Sequence, residues 1–414
     1  MKKFLALTLA LVMSLSLVAC GDKKTDDTKT DAPDQTEQPA ENEGAYKVAM
    51  ITDYGDITDQ SFNQTTYEAC KAFAEDNSIE FSYFRPAGDN TADRVAMIEK
   101  AVNDGFNVIV MPGYAFGGAI VEAAPEFPDV KFIALDVAAG DLLETAVAKA
   151  GEAYDYTPEN WDLNKYVDMS NVYCAVYQEE LCGYMAGYAA VKLGYKNLGF
   201  LGGMSVPAVV RYGYGFVQGV DAAAADLGLT DVKLNYIYGG QFFGDADITA
   251  VMDTWYQGGT EVVFACGGGI YTSAVDAAKK VNAKVIGVDV DQAGVIAKYA
   301  GVDGMTVTSA MKGLYPATYD TLTDVIVNGN WDKYVGKIAT LGLVSGTDPE
   351  ANYVQIPMGD GTQWSDSFTQ DDYKAMVKDM FDGKITVSNN TSSDVSAADF
   401  ATVITVDDQG SIKG

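Results

Sequence analysis

Two hexapeptides carry matched chemistry: Lys131-Phe-Ile-Ala-Leu-Asp136 and Lys284-Val-Ile-Gly-Val-Asp289 each run from a lysine through apolar residues to an aspartate. A carboxylate at the end of a buried strand accepts two hydrogen bonds from a vicinal diol, the group a ribose presents. Capping of the following helix is the plainer use of the same residue. Paired carboxylates also serve glycoside hydrolysis, but nothing in the sequence sets these two at the separation that chemistry needs.

Other strand-like runs end in residues of the same kind. Asp53 follows Lys47–Thr52 and leads to Ser61, Phe62 and Asn63, where Ser61 and Gln64 form the S-x-x-Q pattern of a helix start. Tyr114 follows Val108–Met111, Gly267 and Gly268 follow Val262–Ala265, and Lys312 follows Thr306–Ser309. Phe62 offers an aromatic face, and the Asn63 amide has the donor and acceptor that match a purine edge. Tyr212, in Arg211-Tyr-Gly-Tyr-Gly-Phe216, would supply a second face. Gly267-Gly-Gly269 lacks both the Lys-Ser/Thr of a P-loop and the G-x-G-x-x-G spacing. It is therefore a tight turn or a close approach of backbone to ligand.

Such residues need a scaffold that gathers strand ends. Ten β-like runs, from Lys47–Thr52 to Thr306–Ser309, are mostly separated by helical spacing, as in Ser61–Glu75, Gln178–Leu193, Arg211–Leu227 and Met311–Asn328. This alternation predicts an α/β fold with parallel sheets and helices on both faces. Ten strands in one sheet would be unusual, so two Rossmann-like lobes are expected, with the ligand cleft between them where strand C-termini meet helix N-termini. Asp141–Tyr166 has weaker periodicity and is expected to be a loop-rich insertion. Beyond Gly329 the chain is rich in Gly, Asp, Asn and Ser, with a helix expected at Asp371–Phe381 and a strand at Thr402–Val406.

Composition narrows the function classes. The 414 residues hold 28 Lys+Arg against 58 Asp+Glu, a net charge of −30 that repels nucleic acid and anionic lipid. Histidine is absent, which removes the commonest general base, the commonest zinc ligand and the Ser-His-Asp mechanism together. Neither an enzyme, a metal nor a cofactor is expected. Cys70, Cys174, Cys182 and Cys266 match no zinc or redox doublet. They are expected as buried thiols, with a Cys174–Cys182 disulfide as the alternative.

The N-terminus has the layout of a secretory signal: Lys2 and Lys3, an apolar stretch Phe4–Val18, then Leu17-Val-Ala-Cys20. Leu-Val-Ala-Cys resembles the bacterial lipobox, so residues 1–19 would be removed and Cys20 acylated. Residues 20–45 carry no large apolar side chain and would form a disordered tether. A lipid on Cys20 would hold the protein at the extracytoplasmic face of a membrane.

Asp59-Gln-Ser-Phe-Asn63, Gly199-Phe-Leu-Gly-Gly203, Arg211-Tyr212, Val285-Ile-Gly-Val-Asp-Val-Asp-Gln292 and Ser309-Ala-Met-Lys312 together resemble the basic membrane protein family. These bacterial lipoproteins are substrate-binding proteins of nucleoside-importing ABC transporters, with the type I periplasmic-binding-protein fold. The resemblance implies a lobe of 46–177 plus 310–329 and another of 178–309 plus 330–414, closing as a monomer on a nucleoside, purine foremost, and delivering it to a permease. It implies that Phe62 and Tyr212 stack on the base, Asn63 reads its edge, and Asp136, Asp289 and Lys312 hold the ribose. Gln60 stands where a basic residue is frequent, and Tyr212 where Phe is common. A sugar or other small-metabolite receptor, a nucleoside hydrolase and a surface adhesin are the competing classes.

Overall fold

The computed structural model describes residues 46–53 and 55–413; the expected signal peptide, Cys20 and the expected tether lie outside the described residues. The first half of the chain runs β1 (Lys47–Ile51), α1 (Phe62–Asn77), β2 (Glu80–Phe84), α2 (Thr91–Asn103), β3 (Val108–Pro112) and α3 (Phe116–Ala123). It continues through β4 (Lys131–Leu135), α4 (Ala139–Lys149), α5 (Leu163–Tyr166) and β5 (Val172–Tyr177). Next come α6 (Glu179–Lys192), β6 (Asn197–Gly202), α7 (Pro207–Leu227), β7 (Lys233–Tyr238), α8 (Ala246–Gln257) and β8 (Val262–Cys266). After these follow α9 (Tyr271–Val281), β9 (Lys284–Asp289), α10 (Ala293–Ala300), β10 (Thr306–Lys312) and α11 (Leu314–Leu322). The last elements are β11 (Ile338–Leu341), β12 (Val354–Gln355), α12 (Gln370–Phe381) and β13 (Thr405–Ser411).

Two sheets result, ordered β11-β5-β4-β3-β1-β2 and β12-β10-β9-β8-β6-β7-β13. Every pairing is parallel except that of β12 with β10. Their central strands β3 and β8 are buried at every residue, which is why they read as unbroken apolar runs rather than alternating ones. The chain passes between sheets three times: from β5 through α6 to β6, from β10 through α11 to β11, and from β11 to β12. One apolar cluster joins the inner faces of both sheets through α6 and α7, and each sheet packs a second cluster on its other face.

Helices α6 and α7 approach closely because glycines face each other. A Cβ on Gly183 or Gly187 would lie 2.3 Å from the carbonyl oxygen of Tyr212 or Phe216, and one on Gly215 or Gly219 would lie 2.1 Å from that of Glu180 or Tyr184. Replacing these glycines would force the helices apart. The contact sets Glu179, the first residue of α6, against Arg211 in the first turns of α7.

Several expectations are corrected. Strand β11, within the stretch assigned to the second lobe, pairs with β5 in the first sheet. The stretch expected as one helix from Met311 begins as strand: β10 continues to Lys312 because β12 pairs with Met311 and Lys312. The expected insertion opens with α4, which buries Leu142, Leu143, Ala146 and Val147. The final strand lies later than expected, at Thr405–Ser411. The four described cysteines are free and buried, so Cys174 and Cys182 form no disulfide. Among the described residues, no helix is long and apolar enough to cross a membrane.

Candidate functional site

A cavity of about 540 Å³ lies where the C-terminal ends of the two sets of strands face each other. From the first sheet it takes Asp53 after β1, Gly113 and Tyr114 after β3, and Asp136 after β4. From the second it takes Gly267 and Gly268 after β8, Asp289 closing β9 and Lys312 closing β10. Phe62 and Asn63 at the start of α1 and Tyr212 on α7 also line it. Ser61 does not line the cavity but stands behind Asp289, donating its hydroxyl to Oδ2 at 2.5 Å.

Asp136 and Asp289 share an unusual backbone. Their φ values are +57° and +65°, the left-handed region that costs a non-glycine residue of order 1–3 kcal/mol. In both lobes, then, the strand turns sharply at its last carboxylate. Lys312 joins the two: its Nζ lies 2.5 Å from Asp136 Oδ2, 3.6 Å from Glu179 Oε1 and 3.7 Å from Asp289 Oδ1. The rings of Phe62, Tyr177 and Tyr212 surround the same ammonium, with centroids at 4.7, 5.4 and 5.6 Å. Aromatic faces stabilise a cation that has lost its water.

The electrostatics follow from burial. Burial lowers the Lys312 pKa, but Asp136, Asp289 and Glu179 more than reverse this and hold it above the ordinary lysine range. Burial raises the Asp289 carboxyl, with Lys312 and Ser61 pulling it back. Burial likewise raises Glu179, although Arg211 Nε donates to its Oε2 at 2.7 Å. Burial also pushes Glu180 and Asp141 up to about 7 each. Asp136 Oδ1 is buried and has no hydrogen-bond partner. A buried acceptor of that kind is costly unless something donates to it.

Two expected roles are altered by the geometry. The Asn63 amide nitrogen donates to Asp53 Oδ1 at 2.9 Å and Asp59 Oδ2 at 3.1 Å, while its oxygen accepts from the Asp53 N–H at 3.3 Å. Both amide hydrogens are thus used to shape the loop. Tyr212 is 1% exposed, packs edge-on against Phe264 and directs its hydroxyl to Asp289 Oδ1 at 3.4 Å. It braces the carboxylate, and little of its ring is left exposed at the cavity wall.

Three residues of the site had no role in the sequence reading. Phe242 is half-buried and lines the cavity; its ring lies over glycine backbone, since a Cβ on Gly203 or Gly267 would come within 2.5 or 3.0 Å of it. Arg211 also lines the cavity, and Glu179 links Arg211 to Lys312. The available signal was a pair of glutamates opening an otherwise apolar, glycine-containing helix. Two further bonds span the sheets: Gln292 Nε2 donates to the Gln60 carbonyl at 3.2 Å, and the Tyr114 hydroxyl lies 4.0 Å from Met204 Sδ.

Comparison with known proteins identifies relatives of this arrangement. Residues 46–348 match the model of the PnrA-like ABC transporter substrate-binding protein family, Bmp. The ABC transporter nucleoside-binding protein BmpA of Lactococcus lactis subsp. cremoris is 25% identical over 94% of this chain and 99% of its own. An uncharacterized lipoprotein of Pyrococcus abyssi is 26% identical over 82% of this chain and 74% of its own. Among solved structures, an ABC transporter solute-binding protein from Aeropyrum pernix K1 aligns with a TM-score of 0.62 at 19% identity, covering 84% of this chain and 95% of that one. That likeness speaks to the fold alone.

Proposed function

The chain belongs to the family of PnrA-like ABC transporter substrate-binding proteins, and from that premise we propose that it is an extracytoplasmic receptor that closes on a nucleoside, purine foremost. The observation that carries this reading is the Lys312 cluster: one ammonium between the strand-end carboxylates Asp136 and Asp289, one from each sheet, with the Phe62 ring above it. Carboxylates and an ammonium so placed accept from and donate to the hydroxyls of a ribose, and the adjoining aromatic suits a base. The unpartnered Asp136 Oδ1 is an acceptor awaiting such a donor. Because both lobes contribute, contacts with the ligand are completed only when the lobes meet, and binding favours closure.

The ligand would be handed, by the receptor as a monomer, to a membrane permease. The anchor is a lipid on Cys20, supported by Leu17-Val-Ala-Cys20 and by the lipoprotein name of the Pyrococcus relative. No catalytic role is assigned to the carboxylates; incubation with inosine should release no hypoxanthine. Calorimetric titration with adenosine, guanosine, inosine, cytidine, uridine and ribose tests the reading.

One observation favours a second reading, a receptor for a free sugar. The Asn63 amide is used within its own loop and Tyr212 is buried, so the diol-binding half of the site is better formed than the base-binding half. Under this reading ribose binds as tightly as any nucleoside.

A further inference from the structure

The family match ends at residue 348, yet the last described strand reaches a loop that lines the cavity. Asp221 on α7 anchors its approach, accepting from the N–H groups of Thr402, Val403 and Ile404 at 2.8, 2.8 and 3.2 Å and from the Thr402 hydroxyl at 2.6 Å. Strand β13 then pairs in parallel with β7 along the edge of the second sheet, and the Ile412 N–H donates to the Tyr238 carbonyl at 2.8 Å. At this point β7 ends and the loop 239–245 begins.

Lys413 lies directly on that loop. Its Nζ donates to Gln241 Oε1 at 3.0 Å and pairs with Asp245. Gly240, with φ +80°, has no room for a side chain, because a Cβ there would come within 2.7 Å of the Lys413 backbone oxygen. Gln241 Nε2 in turn donates to Asp245 Oδ2 and the Phe243 carbonyl, both at 2.9 Å. Lys413 is therefore the cation at the point where the loop's own polar groups converge. The same loop lines the cavity with Gly240, Gln241, Phe242 and Phe243. The Phe242 carbonyl accepts from the Gly269 N–H at 2.9 Å, which couples the loop to the glycine turn after β8.

We propose that the C-terminal tail is a positioning strap for the ligand site. Lys413 fixes the 240–245 loop and through it the Phe242 ring, so ligand affinity depends on a residue that touches no ligand. A wall held in its bound shape before the ligand arrives costs less to order on binding. Removing the ammonium leaves Gln241 Oε1 without its donor and Asp245 without its counter-charge. It spares the cap Asp245 makes to Ile248 N on α8 at 2.9 Å. The ligand's identity rests on the nucleoside reading, whereas the dependence of the loop on Lys413 does not.

The test uses Lys413→Ala and Lys413→Arg in the otherwise intact chain, with hydrogen exchange at the amides of 240–244 and nucleoside titration as readouts. For Lys413→Ala, loop exchange should rise and nucleoside affinity should fall by about two- to fivefold each, the upper part of the range for a partly exposed ion pair. The thermal midpoint should fall by no more than about 2 °C, and Lys413→Arg should restore both readouts. Wild-type exchange in the alanine variant overturns the strap, as does wild-type affinity in that variant. If the wild-type protein binds no nucleoside while the loop still loosens in the alanine variant, the strap stands and the nucleoside reading falls.

Discussion

Lys312 and Asp136 meet at 2.5 Å although they close strands of different sheets, β10 and β4. Their side chains are 4% and 9% exposed. A buried ion pair is weak evidence for stability, because desolvation offsets most of the Coulomb gain. Its placement at the meeting point of two lobes, with Asp136 Oδ1 still lacking a donor, suits a binding site better than a scaffold.

Lys312→Met should therefore do more than lose a contact. It strands Asp136, Glu179 and Asp289 without their shared cation. Removing one partner of a buried pair typically destabilises by about 3–5 kcal/mol. Urea unfolding should show a loss of that order, and calorimetry should detect no nucleoside binding.

Phe62→Ala isolates the aromatic half of the site. Losing a base-stacking face should weaken nucleoside binding by about 1–3 kcal/mol, roughly five- to 150-fold. Ribose affinity should stay within about twofold of wild type. Equal losses for both ligands would show that Phe62 acts only by steadying Lys312, whose Nζ lies 4.7 Å from its ring centroid.

Glu180 gives a pH signature. It is 2% exposed, its Oε2 has no hydrogen-bond partner, and burial raises its pKa from 4.5 to about 7, aided by the neighbouring Glu179 charge. Between those values the folded protein holds a proton that the unfolded chain has released. That contribution to stability is fully present below about pH 4.5 and is lost as pH rises through about 7. Asp141, raised from 3.8 to about 7 by burial, acts in the same direction. Glu180→Gln should thus gain on wild type by roughly 2–3 kcal/mol between about pH 5 and about pH 8. Urea midpoints at the two pH values measure it.

Much of this site was legible in the sequence because its residues end apolar runs. Asp136 and Asp289 close strands of the same apolar pattern, and their shared left-handed turn repeats the same local solution in both lobes. Lys312 was legible as a residue after a strand. Its place in β10 was not, because the pairing partner Val354 lies far along the chain. Strand β11 was hidden for the same reason: four residues pair with β5 only after the chain has crossed the second sheet. Residue type pointed to Asn63 and Tyr212, but which of their faces stay open depends on Asp53, Asp59, Phe264 and Asp289 packing around them. Phe242 sits in a loop with no motif, and glutamates opening a helix ordinarily face water. Only the glycine contact between α6 and α7 shows that Glu179 and Glu180 are buried.

The thiols offer a simple check on the packing. Cys70, Cys174, Cys182 and Cys266 are free and buried, and burial holds their pKa values above the ordinary thiol range. Ellman's reagent should leave all four unlabelled in the native protein and label all four in denaturant. A reductant should leave the thermal midpoint unchanged, and a drop would reveal a disulfide.

Under the proposed function, the strand-end carboxylates, Lys312 and Phe62 together hold a nucleoside. Calorimetric titration of the purified protein with the five nucleosides and with ribose tests it most directly. Saturable binding of at least one nucleoside, purine foremost, at one site per chain and more tightly than ribose is the predicted result. Binding of ribose with no binding of any nucleoside would contradict the account.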